Sequence, residues 1–373
     1  MTEPLLPHPP GYFVARLVDL GARLREAILG RRDAAEAAGA GSIAQESAIA
    51  RDGVPGSDYT GDTIYAIDER GETALLSFCE QWARELDRPF VLIAEGLPGQ
   101  GRRTFPNGAA EPDATFECIV DPIDGTRGLM YEKRSAWTLA AVAPGQALLG
   151  RHPNLADIAV AVQSELPTRR ARLADTLWAT RAAGAGGETL DLATGARRPF
   201  HPAPSRATTL AHGFATVAKF FPGTKEAAAR LEERLFAEVV GEHASGAPLV
   251  FDDEYISSGG QLYELLAGHD RFIADLRPVF AAAQETKDPS SFPKRLCARP
   301  YDLCTALIAE ESGVIVTDEW GQPLSAPLDT EADVAWAGYA NSTLRAQIEP
   351  VLQRLLRELG VPAPRLSAGV PPS

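Results

Sequence analysis

Apolar residues recur every three to four positions through residues 12–38, where Phe13, Leu17, Leu20, Leu24 and Ile28 fall on one face of a helix. The same spacing predicts a helix over 69–86, with Leu75, Leu76, Phe78, Cys79 and Trp82 as its apolar side. Residues 51–62 are polar and read as a loop, and 63–67 as a short strand or helix entry. Unbroken apolar runs at 90–94 and 116–120 predict buried strands, and two more follow at 137–143 and 158–163, separated by a turn near Gly145. The stretch 180–204 is rich in Gly, Ala and Pro and reads as the boundary between two parts, 1–200 and 201–373. Beyond it the pattern alternates, with helices at 225–240, 260–267, 301–312 and 343–359 and strands at 314–317 and 334–338. A strand-rich first part followed by an alternating second predicts an α/β chain of mixed layers. The tail after Pro362 carries no pattern and reads as disordered.

Charge narrows the choice of partner. The chain has 373 residues with 36 basic and 50 acidic side chains, a net charge of −14, which argues against binding a nucleic-acid polymer. A small anionic substrate stays compatible, because a bound metal inverts the local charge. No apolar run is long enough to span a bilayer, and residues 1–10 lack the charged-then-apolar pattern of a signal peptide. Four cysteines without CxxC spacing fit a reducing compartment, so a cytoplasmic location is expected. The absence of HExxH, GxSxG and GK[ST] motifs moves zincins, serine hydrolases and P-loop enzymes out of the front rank.

The chemistry concentrates at Asp121-Pro122-Ile123-Asp124-Gly125-Thr126, at the end of the 116–120 run. Pro122 biases Asp121 toward an extended backbone, and Gly125 permits a sharp turn. A strand that ends this way presents Asp121, the Ile123 carbonyl and Asp124 to one point, with the Thr126 hydroxyl beside it. Hard divalent cations take such oxygen clusters, and Mg²⁺ in particular pairs one or two carboxylates with substrate phosphate. An ordinary Asx-type turn is the bland alternative. Glu95 ends the 90–94 strand, and Asp302 precedes an apolar helical run, where an N-capping role suffices. Asp62 is a candidate to orient a water through Thr126, whereas Asp68 reads as the cap of the 69–86 helix.

The order Asp62, Glu95, Asp121 to Thr126, Tyr301-Asp302 resembles that of the inositol monophosphatase superfamily. Echoes follow in Glu311 to Gly321 and in Trp336 to Asn341. The resemblance implies an alternating α-β-α-β-α sandwich and a Mg²⁺-dependent phosphomonoesterase that attacks a small phosphorylated metabolite with metal-activated water. It implies two or three Mg²⁺ held by Glu95, Asp121, the Ile123 carbonyl, Asp124 and Asp302. It further implies that Asp62 and Thr126 position the water, that the Gly125 and Thr126 amides bind phosphate, and that the protein is a homodimer, as family members often are. Three positions depart from the family pattern. Gly96 stands where a second Glu is usual, Tyr301 replaces Trp, and Ser312 interrupts a Gly-Gly pair.

Two substrate classes stay open, an inositol, polyol or sugar phosphate and an adenosine 3′,5′-bisphosphate. Thr126-Arg127-Gly128-Leu129 is similar to the bisphosphate nucleotidase branch, which puts Arg127 on the substrate side. Ser258-Gly259-Gly260-Gln261 falls at that branch's Ser-Ser-Xaa-Lys, so Ser258 is a substrate-side candidate but Gln261 cannot meet a second phosphate as a lysine would. A non-catalytic metal- or phosphate-binding homologue is the alternative from another class, favoured by Gly96. The acidic run Phe251 to Tyr255 reads as a solvated loop.

Overall fold

The computed structural model describes residues 6–37, 66–241, 249–285 and 297–361. Asp62, the predicted 51–62 loop and the tail after Pro362 lie outside the described residues.

Two helices open the described chain, α1 (Pro10–Ala37) and α2 (Ala66–Glu85). Strands β1 (Phe90–Ala94), β2 (Arg102–Phe105) and β3 (Phe116–Asp124) follow, then the single-turn helix α3 (Thr126–Met130). Next come β4 (Ala136–Pro144), β5 (Val160–Leu166), β6 (Leu173–Thr180), β7 (Gly184–Asp191), β8 (Arg197–Phe200) and β9 (Gly213–Val217). After α4 (Lys225–Val240) come β10 (Val250–Phe251), α5 (Ser258–Leu266), β11 (Asp270–Asp275) and α6 (Arg277–Glu285). The short helices α7 (Pro300–Leu303) and α8 (Ala306–Glu311), strands β12 (Ile315–Thr317) and β13 (Trp336–Tyr339), and helix α9 (Ser342–Glu358) close it.

The strands form two sheets, ordered β2-β1-β3-β4-β5-β6-β7-β8 and β10-β9-β11-β13-β12. In the first, only β1 and β3 run parallel, and the other neighbours are antiparallel. Helices α1 and α2 pack on its outer face, α5, α7 and α8 lie between the sheets, and α4 and α9 cover the far side of the second sheet. This is the α-β-α-β-α sandwich.

Burial on both faces explains the unbroken apolar strands. Along β1, Phe90, Leu92 and Ala94 enter the outer core with Phe13, Leu17 and Trp82, while Val91 and Ile93 enter the core between the sheets. A third core joins Leu231 and Leu235 of α4 to Leu344, Ile348, Leu352 and Leu355 of α9.

The Gly- and Ala-rich stretch 180–204 contains β7 and β8, paired from Gly187 opposite Phe200 to Leu190 opposite Arg197. One sequence expectation is corrected. The single helix expected at 301–312 is two, because the buried Thr305 turns at the break and its hydroxyl bonds Gln163 Oε1 of β5 at 3.1 Å.

Candidate active site

The parallel pairing of β1 with β3 ends at Ala94 opposite Val120. Glu95 and Asp121 are the next residues of each strand, so both emerge at the same end of the sheet. The β3–β4 register then shifts between Asp121 and Asp124, where three steps along β3 oppose two along β4. Such a bulge re-aims side chains, and here it brings both aspartates to one side. Asp302 arrives from α7 between the sheets. Carboxylate oxygens of Asp121, Asp124 and Asp302 lie within 4.8 Å of one another.

Each carboxylate is anchored. Asp121 Oδ1 accepts the Ile123 amide at 2.9 Å. Asp302 Oδ2 accepts the Arg299 amide at 2.6 Å, so Arg299 is the residue that caps α7, and Asp302, expected as the N-cap, sits in the first turn and bonds back to it. Asp124 Oδ2 accepts the Ser257 hydroxyl at 2.8 Å and the Gly259 amide at 2.6 Å. That last contact requires glycine, since a Cβ at 259 would stand 2.5 Å from Leu139 Cδ2. Gly125 is required as well, at φ 93° with the Ser257 side chain close against it.

Burial pushes the Asp121 carboxyl well above its ordinary range, and the neighbouring Asp124, Asp302 and Glu95 push it further. Burial raises Asp124 to about 6, against the pull of the Gly259 amide and the Ser257 hydroxyl. Asp302 is also raised, first by burial and then by Asp124. Like charges crowded in a low-dielectric site shift this way, and a divalent cation reverses the shift. The cleft around the trio is lined by six carboxylates (Asp68, Glu72, Glu95, Asp121, Asp124, Asp302) against two guanidinium groups (Arg127, Arg277). A donor set of hard oxygens with excess negative charge fits Mg²⁺ or a similar cation.

The other sequence candidates fall as follows. Glu95 is exposed on the cleft rim, outside the close trio, though its charge acts on both Asp121 and Asp302. Thr126 Oγ1 lies 2.9 Å from the Ile123 carbonyl and 3.1 Å from Asp68 Oδ1, so its single proton is shared between two acceptors. Gly125, Arg127 and Ser258 line the cleft. Asp68 corrects the sequence reading, because α2 already runs from Ala66 and this residue sits inside its first turn, facing Thr126. Glu72 lies one turn further along α2 and lines the same cleft. Its spacing from Asp68, four residues on a helix, was the available signal. Sequence reasoning also missed Phe220, Phe221 and Arg277, which come from the second sheet's side and carry no motif. Gln261 is buried and does not line the cleft.

No family model and no curated protein matches the sequence. Solved structures do match. Extragenic suppressor protein suhB from Bartonella henselae aligns with TM-score 0.58 and 15% identity, over 92% of this chain and 99% of that one. Fructose-1,6-bisphosphatase from Leishmania major aligns with TM-score 0.60 and 15% identity, over 94% and 96%. An IMPase from Thermotoga maritima aligns with TM-score 0.52 and 15% identity, over 94% and 98%. At this identity the likeness is one of fold, and it spans nearly the full length of both chains. The protein therefore shares the layered sandwich fold of these three solved structures.

Proposed function

We propose that this protein is a Mg²⁺-dependent phosphomonoesterase acting on a small phosphorylated metabolite. The observation that carries this reading is the carboxylate trio of the buried Asp121 and Asp124 and the half-buried Asp302, in a cleft too negative to hold a phosphate without cations. The fold shared with a fructose-1,6-bisphosphatase and an IMPase supports it. Asp121, Asp124 and Asp302 would hold the cation, with the Ile123 carbonyl and Glu95 alongside. The Ile123 carbonyl already accepts the Thr126 hydroxyl, but a carbonyl has two lone pairs. When bound, divalent cations supply Lewis-acid polarisation of the phosphoryl oxygens and acidify water.

The chain's own residues do the rest. The Asp68–Thr126 pair stands where a water would be oriented, with Asp68 as the acceptor for its proton. This assigns to Asp68 the task that the sequence suggested for Asp62. Gly125 and Thr126 line the cleft, where their amides would suit a phosphoryl group, and Arg127 would add a positive charge. Phosphoryl transfer asks mainly for positioning and charge neutralisation, which this arrangement provides. The buried position of Gln261 gives no support to the bisphosphate nucleotidase alternative. The test is phosphate release from a panel of phosphomonoesters with Mg²⁺ and with chelator. Hydrolysis that chelator abolishes is expected, and chelator-resistant hydrolysis contradicts the reading.

A further inference from the structure

We propose that the leaving group of the substrate carries a single planar ring with apolar faces, aryl or heteroaryl, rather than a polyol. The inference rests on the phosphomonoesterase reading and concerns what lies opposite the carboxylates.

The two walls of the cleft differ in chemistry. The first sheet, α2 and α7 contribute the acids. The apolar lining comes from Phe220, Phe221, Ile256 and the flat guanidinium of Arg277. Phe220 and Phe221 follow β9 and meet edge to face, with centroids 6.2 Å apart at 84°. Arg277 stacks 4.7 Å from the Phe220 centroid and 5.4 Å from that of Phe221. The guanidinium is pinned in turn by the fully buried Asp275, through Nε contacts of 2.8 and 3.0 Å. A wall fixed by an ion pair and two cation–π contacts is set before the substrate arrives, which lowers the entropy cost of binding.

This wall offers little to hydroxyl groups. The Ser257 hydroxyl is committed to Asp124 and the Asp275 carboxylate to Arg277, and Ser258, which also lines the cleft, is itself buried. A polyol pressed against Phe221 and Ile256 would lose its hydration without replacement hydrogen bonds. A ring instead covers apolar surface that is otherwise wet. Ile256 is 44% exposed although it lines the cleft, and Phe221 is partly exposed beside it. Aromatic groups gain from such burial and from offset or edge-to-face contact.

The test compares kcat/KM for benzyl phosphate, glycerol 2-phosphate and inositol 1-phosphate at saturating Mg²⁺. These are all alkyl esters, so leaving-group reactivity is similar. Benzyl phosphate is expected to be preferred, and Phe221→Ala or Ile256→Ala is expected to lower the benzyl-to-glycerol ratio about tenfold, the loss of one apolar pocket contact. Preference for inositol 1-phosphate, or a ratio unmoved by both substitutions, overturns the inference. Should the protein hydrolyse none of the three, the phosphatase reading fails, and calorimetry with benzylphosphonate against methylphosphonate judges the wall separately. Tighter binding of the benzyl compound, lost in Ile256→Ala, supports the wall, and equal binding refutes it.

Discussion

At the residue scale, the account turns on a few oxygen atoms. Asp124 is held by Ser257 and Gly259, so Asp124→Asn keeps those neighbours and loses the charge. We expect it to fold normally, to bind Mg²⁺ at least about tenfold more weakly and to be nearly inactive, as read by calorimetry and phosphate release. Proton competition gives a second expectation. The Asp124 carboxyl is raised to about 6, so Mg²⁺ affinity should fall as pH drops from 8 to 5. An affinity independent of pH over that range would contradict it. Thr126 shares its proton between Ile123 and Asp68. Thr126→Ala should cut kcat by about 100-fold while Mg²⁺ affinity changes less than twofold, and Thr126→Ser should restore most of the rate. Equal rates in the Ala variant and the parent would remove Thr126 from the reaction. The hexapeptide at 121 made the trio's first two members legible from sequence. Asp302 was legible only through the order of motifs along the chain, since a capping Asp looks the same as a ligand. Asp68 looked like a cap for the same reason.

At the element scale, the strongly periodic segments announced themselves. Helices α1, α2, α4 and α9 and strands β1, β3, β4 and β5 match their patterns within a few residues. Strands β7 and β8 did not, because glycines in β7 pack against Trp178 and Leu177 and leave no alternation to read. Helix α6 was missed because its apolar run, Val279 and Phe280, is too short to show a helical period. The acidic run after β10 is exposed at Asp252 and Asp253, as expected, but its side chains are paired. Asp252 pairs with Lys219 at 2.9 Å, the Lys219 amide donates to Glu254, and Asp253 pairs with Arg134. These contacts fix the approach to Ser257. Packing of α2 on the first sheet depends on Trp82, which is 1% exposed among Phe13, Phe78, Phe90 and Phe116 and donates to Tyr12 Oη at 2.9 Å. Trp82→Ala should cost about 3–5 kcal/mol of stability in denaturant titration. A loss below about 1 kcal/mol would mean that this layer is not part of the cooperative core. Asp270, at the start of β11, is raised to about 7 by burial and by Glu264 and Asp253, with His269 and Arg134 opposing. A carboxyl raised in the folded state stabilises fully below its unfolded value, and that contribution is lost as pH rises toward about 7. Asp270→Asn should therefore flatten the fall in stability between pH 4 and 7, and an unchanged pH profile would show that Asp270 titrates normally.

At the scale of the whole molecule, the site exists because two sheets and the helices between them meet at one cleft. The first sheet delivers Glu95, Asp121 and Asp124, α2 delivers Asp68 and Glu72, and α7 delivers Asp302 from nearly two hundred residues later in the chain. Sequence order suggested this convergence, but only the packing of α7 and α8 between the sheets explains it. The aromatic wall was illegible for the opposite reason, because Phe220, Phe221 and Arg277 belong to no motif and meet only through tertiary structure. Among the described residues no helix is long and apolar enough to cross a membrane. Anomalous diffraction from crystals soaked with Mn²⁺ and inorganic phosphate tests the central claim most directly. A manganese peak bridged by Asp121, Asp124 and Asp302, with phosphate beside it facing Thr126, is the result predicted. Manganese bound elsewhere while these three carboxylates stay empty would contradict it.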